Sequence, residues 1–206
     1  SKTLFLKEPE TIDWIDSMKQ SDILWDIGSN VGLYSIYAGL KGIKVNAFEP
    51  SALNTFLISK NIEINNLKDN VFLFPIALSN KNDFGFLNMT STDLGGALNE
   101  FSETDLNFVN ISDQKKNVVF SQGIFSFKID DLVNQYNFKI PNYIKIDVDN
   151  IEDKIIYGGS STLAKKDVKG LLIELDETEK RTKKLIDFLF DLGLILKDKR
   201  QSEMIK

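Results

Sequence analysis

Carboxylates at the ends of apolar runs, with glycines beside one of them, are the residues of this chain best placed to do chemistry. Asp26 closes the run Ile23 to Trp25 and is followed by Gly28-Ser29-Asn30-Val31-Gly32. Glu49 closes a second apolar run, Val45 to Phe48, and precedes Pro50. Asp147 and Asp149 end a third, Tyr143 to Val148, with Lys145 inside it, and Glu174 ends a fourth, Gly170 to Leu175. A strand, a tight glycine turn and a second strand ending in an acid form a site for a nucleoside-bearing ligand.

The spacing narrows which ligand. A dinucleotide fingerprint needs a third glycine, and here Leu33 and Ser35 stand where one would be sought. A pyrophosphate would also meet the Asp26 carboxylate at close range. A ligand carrying an ammonium suits Asp26 better, and S-adenosylmethionine has an amino-acid tail, a sulfonium charge and a ribose diol. Asp26 can stabilise the positive tail directly or through water. Gly28 and Gly32 would let the backbone approach the ligand. Glu49 can accept from both ribose hydroxyls, a role that nicotinamide sites share. Ser29, Asn30, Pro50 and Ala77 complete the expected cofactor contacts, with Ile76 to Leu78 walling the adenine.

Methyl transfer from a sulfonium is an in-line displacement that needs mainly proximity and alignment. An alcohol acceptor still benefits from a base. Asp147 is the first candidate for that base, although it could equally cap the following helix or contact the methionine tail. Lys145, two residues back on the same strand face, can orient it. Glu152 and Glu174 are candidates to hold acceptor hydroxyls. Asp147, Asp149 and Glu174 could together hold a divalent metal through oxygen, but nothing in the spacing requires one.

The elements that must position these residues follow from the pattern. Strands are expected over Ile23 to Ile27, Lys44 to Phe48, Val71 to Pro75, Tyr143 to Val148 and Gly170 to Leu175, with a further strand beginning at Leu194 to Lys197. Helices are expected over Ile12 to Met18, Val31 to Leu40, Ser51 (as N-cap) to Ile64, Asp130 to Tyr136, Ile151 to Tyr157 and Glu179 to Leu192. Strands alternating with helices imply an α/β, doubly wound, mostly parallel sheet with helices on both faces. Such sheets bind ligands outside the carboxyl ends of their strands. Residues 80–128 interrupt the alternation with a hairpin pattern, Phe84 to Met89, and a polar stretch, 90–117. That stretch contains Gly95-Gly96, Phe101 and Phe108 and reads as an acceptor lid.

These motifs resemble the FkbM-type family of S-adenosylmethionine-dependent methyltransferases. The likeness rests on Asp26 to Tyr34, Phe48-Glu49-Pro50, Ile76 to Ser79, Ile129 to Leu132, Tyr143 to Glu152 and Leu172 to Leu175, and covers about residues 10 to 195. It departs at Asp149, where the family has Glu, and at Asn150, where it has Gly; Asn tolerates the left-handed geometry the turn would need. The resemblance implies a Rossmann-like methyltransferase fold and O-methylation of a sugar, glycan or natural product. The alternatives are a cofactor-binding module of the same fold without turnover, and a nicotinamide-dependent oxidoreductase.

The bulk composition agrees with this class. The chain has 206 residues, 42% of them hydrophobic and 27% charged, enough for one domain, 1–206, that can belong to a longer polypeptide. It has no Cys and no His, so thiolate nucleophiles and imidazole bases are excluded. Net charge is −5, which argues against nucleic acid as a partner. No apolar run approaches the ~20 residues of a membrane helix, and no leader core is evident in residues 1–9. The expected setting is cytoplasmic, the expected partner a small-molecule or glycan acceptor; the oligomeric state is not readable.

Overall fold

The structure, a computed structural model, describes residues 8–93, 95–96, 100–102, 118–176 and 178–200. The element order follows the alternation of the sequence. Helix α1 (Pro9–Asp16) leads into β1 (Ile23–Ile27), α2 (Leu33–Leu40), β2 (Lys44–Phe48), α3 (Ala52–Ile64) and β3 (Val71–Phe74). The chain continues through β4 (Ala77–Leu78), β5 (Asp83–Met89), β6 (Glu100–Ser102) and β7 (Phe120–Phe127). It returns through α4 (Ile129–Asn134), β8 (Tyr143–Ile146), α5 (Glu152–Gly158), α6 (Ser160–Leu163), β9 (Gly170–Ile173) and α7 (Lys180–Asp191).

Strands β3-β2-β1-β8-β9 form a five-stranded sheet whose pairings are all parallel. The order reverses beside β1, which places the ends of β1, β2 and β8 together at the switch point. The segment that breaks the alternation is a second sheet, β4-β7-β5-β6, with β5 antiparallel to both β6 and β7. The expected hairpin is therefore present, and β6 adds a strand within a stretch that sequence pattern left irregular. Phe108 and the side chain of Phe101 lie outside the described residues. Leu194 to Lys197 forms no strand.

Period-two alternation sorts the strand side chains between two cores. Trp25, Ile27, Phe48, Ile144 and Ile146 pack on one face against Ile155, Ile156, Leu163, Leu185 and Leu189. Trp25 and Phe48 meet at 5.1 Å between centroids, and Phe48 stacks on Phe74 at 5.3 Å, so aromatic burial dominates this side. Leu24, Val45 and Ala47 pack on the other face against Ile12, Ile15, Tyr34 and Ala38. Asp26 alternates with Ile27, and Lys145 with Ile144 and Ile146. Both charged residues accordingly lie on the face covered by α1 and α2.

Local capping follows the sequence signals. Ser51 is the N-cap of α3, its Oγ accepting from the Asn54 amide at 3.4 Å. The turn after β1 needs left-handed backbone at Gly28 (φ 78°) and Gly32 (φ 80°), and Asn30 joins them at φ 48°.

Candidate active site

An open pocket with a cavity volume of about 150 Å³ lies over the carboxyl ends of β1, β2 and β8. Its wall includes Gly28, Asn30, Glu49, Pro50, Ile76, Ala77, Leu78 and Asp147. Leu87 and Gly96 from the second sheet and its loop close another side. Most of the expected cofactor contacts thus meet in one cavity.

Glu49 is the buried acid of that cavity, with 5% of its surface exposed. Its Oε2 accepts from the Asn30 amide at 2.8 Å and its Oε1 from the Ser51 amide at 2.9 Å. Burial pushes the Glu49 carboxyl up to about 7, against the lowering effect of those backbone donors. Ser29 is buried, and both its amide and its hydroxyl point to the Phe48 carbonyl, which closes the turn onto β2.

The glycines serve packing as well as the ligand wall. A Cβ on Gly28 would sit 2.0 Å from the Asp147 carbonyl oxygen, so the close approach there is to the end of β8. A Cβ on Gly32 would meet Ile58 at 3.2 Å, so Gly32 fits α2 against α3.

Asp26 and Lys145 are register partners on adjacent strands, and both are buried. Neither is part of the pocket wall, because both point to the α1–α2 face. Asp26 Oδ2 accepts from the Ser35 hydroxyl at 2.6 Å, while Oδ1 has no hydrogen-bond partner. Lys145 Nζ lies 2.6 Å from Asp147 Oδ2 and 4.9 Å from the Tyr34 ring centroid. Burial disfavours the Lys145 charge, but Asp26 and Asp147 together outweigh it, so the ammonium is held above its ordinary pKa. A charged lysine between two carboxylates is therefore the electrostatic centre of this region.

Asp147 connects the two halves. It lines the pocket and receives the Lys145 ion pair. Glu174, although an exposed residue as a whole, is hydrogen-bonded through its carboxyl to Asp147. Burial of that carboxyl, then the Asp147 charge, push Glu174 up to about 7. Glu8, whose carboxylate accepts from the Tyr34 hydroxyl at 2.6 Å, adds to the same field. Glu8 and Ser35 were not legible as site residues, because neither ends a strand or lies in a motif; Tyr34 closes the glycine-turn motif, which assigns it no role.

Glu152 lies elsewhere. It is buried, its Oε1 accepts from the Asn150 amide at 3.3 Å, and Arg181 approaches its Oε2 at 3.7 Å. Arg181 also donates to the Asn150 carbonyl and, at 3.2 Å, to Asn150 Oδ1. The turn that carries Asn150 is left-handed there (φ 69°), the geometry anticipated for this substitution of the usual glycine. Among the described residues, no group of His, Cys, Asp or Glu is arranged to hold a metal, Asp147, Asp149 and Glu174 included.

The sequence matches a family model, the methyltransferase FkbM domain, over residues 26–196. The chain belongs to the FkbM methyltransferase family. Its fold is similar to that of the methyltransferase FkbM from Methylobacillus flagellatus KT, at 15% identity and a TM-score of 0.54. That match covers 86% of this chain and 39% of the other, so this chain spans well under half the length of that relative. It is also similar to precorrin-6y C5,15-methyltransferase from Geobacter metallireducens GS-15, at 13% identity and a TM-score of 0.52, covering 94% of this chain and 75% of the other. No curated protein matches the sequence. Membership places the chain in a methyltransferase family, the class its motifs resemble, and not among the nicotinamide-dependent oxidoreductases. Among the described residues, no helix is long and apolar enough to cross a membrane.

Proposed function

We propose that the protein binds S-adenosylmethionine in the pocket over β1, β2 and β8 and methylates a hydroxyl on a sugar, glycan or natural product. The observation that carries this reading is Asp147: a carboxylate in the pocket wall, pinned by a buried lysine and beside the carboxyl group of Glu174, which donates to it when protonated.

The residues present fit the cofactor. Glu49 offers both oxygens to a ribose diol at the pocket wall, where Gly28, Ser29, Asn30, Pro50 and Ala77 surround it. Bound there, S-adenosylmethionine would supply a methyl group on a sulfonium leaving group. Asp147 would take the proton of the acceptor hydroxyl as the oxygen–carbon bond forms and the sulfur–carbon bond breaks. Lys145 fixes the Asp147 rotamer, and Glu174 offers an acceptor hydroxyl a second polar contact beside it. Glu152, held by the Asn150 amide and Arg181 next to the pocket residue Ile151, would meet an acceptor that extends past the pocket wall.

Incubation with methyl-labelled S-adenosylmethionine and a panel of sugar and polyol acceptors tests the reading. Label should enter an alkali-stable ether and Asp147→Asn should abolish transfer while S-adenosylhomocysteine still binds. Transfer to nitrogen or carbon acceptors alone would overturn the hydroxyl assignment. Cofactor binding without transfer to any acceptor would favour the module without turnover.

A further inference from the structure

Two amide side chains tie the second sheet to the loop that carries Glu49. Asn54, with 2% of its surface exposed, stands in the first turn of α3. Its Oδ1 accepts from the Gly95 amide at 3.1 Å and its Nδ2 donates to the Gly96 carbonyl at 3.3 Å. The same Nδ2 reaches Glu49 Oε1 at 3.5 Å. Gln122, on β7, does the equivalent from the other side: its Oε1 accepts from the Ala52 amide at 2.9 Å and its Nε2 donates to the Pro50 carbonyl at 2.8 Å. Gln122 is in register with Leu87, and Leu87 and Gly96 are both part of the pocket wall.

An amide that satisfies a backbone donor and a backbone acceptor together fixes both distance and register. With one such amide at each side of Glu49-Pro50, the cofactor loop and the second sheet cannot shift independently without breaking four hydrogen bonds. Ligand hydroxyls that engage Glu49 compete for the oxygen that Asn54 already approaches, so occupancy is felt at Gly95-Gly96.

We infer that Asn54 and Gln122 are positioning residues that couple the cofactor loop to the second sheet, so that cofactor binding orders the wall against which the acceptor must sit. This rests on reading the pocket as the cofactor site and the second sheet as the acceptor side. By linkage the acceptor then tightens the cofactor by the same factor.

Hydrogen exchange with and without S-adenosylhomocysteine tests this without needing the acceptor. In the wild type the ligand should slow exchange across residues 26–33 and 48–50, and also across 119–127, the latter by about fivefold or more. In Asn54→Ala/Gln122→Ala the slowing at 119–127 should vanish while that at 26–33 persists. Gln122→Ala alone, which leaves the buried Asn54 in place, should lose part of it with an unaltered ligand-free melting temperature. Slowing at 119–127 that survives the double substitution, or is missing from the wild type while 26–33 responds, overturns the coupling alone. No response anywhere overturns the cofactor reading and the coupling with it.

Discussion

At the scale of single residues, buried charges govern the site. Glu49 is held near 7 by burial, above the ordinary 4.5. Its raised value means that the folded protein binds a proton the unfolded chain has released. The stability this proton contributes is complete below the ordinary value and is lost as pH rises through about 7. Accepting two ribose hydroxyls requires the carboxylate. Affinity for S-adenosylhomocysteine should therefore rise with pH up to about 7, by about tenfold per unit well below it, and level off above. Calorimetric titration across that range checks it, and Glu49→Gln should bind weakly with no such slope. Lys145 gives a second expectation. It is almost fully buried between Asp26 and Asp147, so Lys145→Ala leaves those carboxylates uncompensated and should cost about 3–5 kcal/mol in chemical denaturation. Asp147→Asn, at the pocket edge, should cost far less stability while abolishing turnover.

At the scale of elements, the turn after β1 does two jobs. It aims the Asn30 amide at Glu49, and it lets the β8 end pass over Gly28. Gly28→Ala would force a Cβ onto the Asp147 carbonyl and would hold alanine at φ 78°. It should lower stability by more than the ~1–3 kcal/mol of left-handed strain alone and should also reduce turnover, since the β8 end carries Asp147. Asn150→Gly, which relieves left-handed strain and loses the Arg181 contact to Oδ1 while keeping the one to the backbone carbonyl, should by contrast stay folded and active; thermal melts of the two variants separate these outcomes. Four of the five parallel strands were legible because their apolar runs stop at an acid, and Ile23–Ile27 and Lys44–Phe48 appear with their expected limits. The direction of Asp26 was legible in principle from period two: it must oppose Ile27, and so face α1 and α2 instead of the pocket. Asn54, Gln122 and Arg181 were not legible, since each acts across a long separation in sequence and carries no motif. Leu194 to Lys197 has strand-like residues but, among the described elements, no neighbouring strand edge.

At the scale of the whole molecule, a parallel sheet supplies the cofactor ends and a mostly antiparallel sheet supplies the opposite wall. The net charge of −5 adds a further expectation: at physiological salt the protein should show no measurable retention on duplex or single-stranded nucleic acid in a filter-binding assay. The central claim is that the glycine turn and Glu49 form a sulfonium-cofactor site. Isothermal titration of the protein with S-adenosylhomocysteine and, separately, with NAD tests it most directly. Saturable one-to-one binding of S-adenosylhomocysteine, lost in Glu49→Ala, with no heat from NAD, is the predicted result; saturable binding of NAD with none of S-adenosylhomocysteine would contradict it.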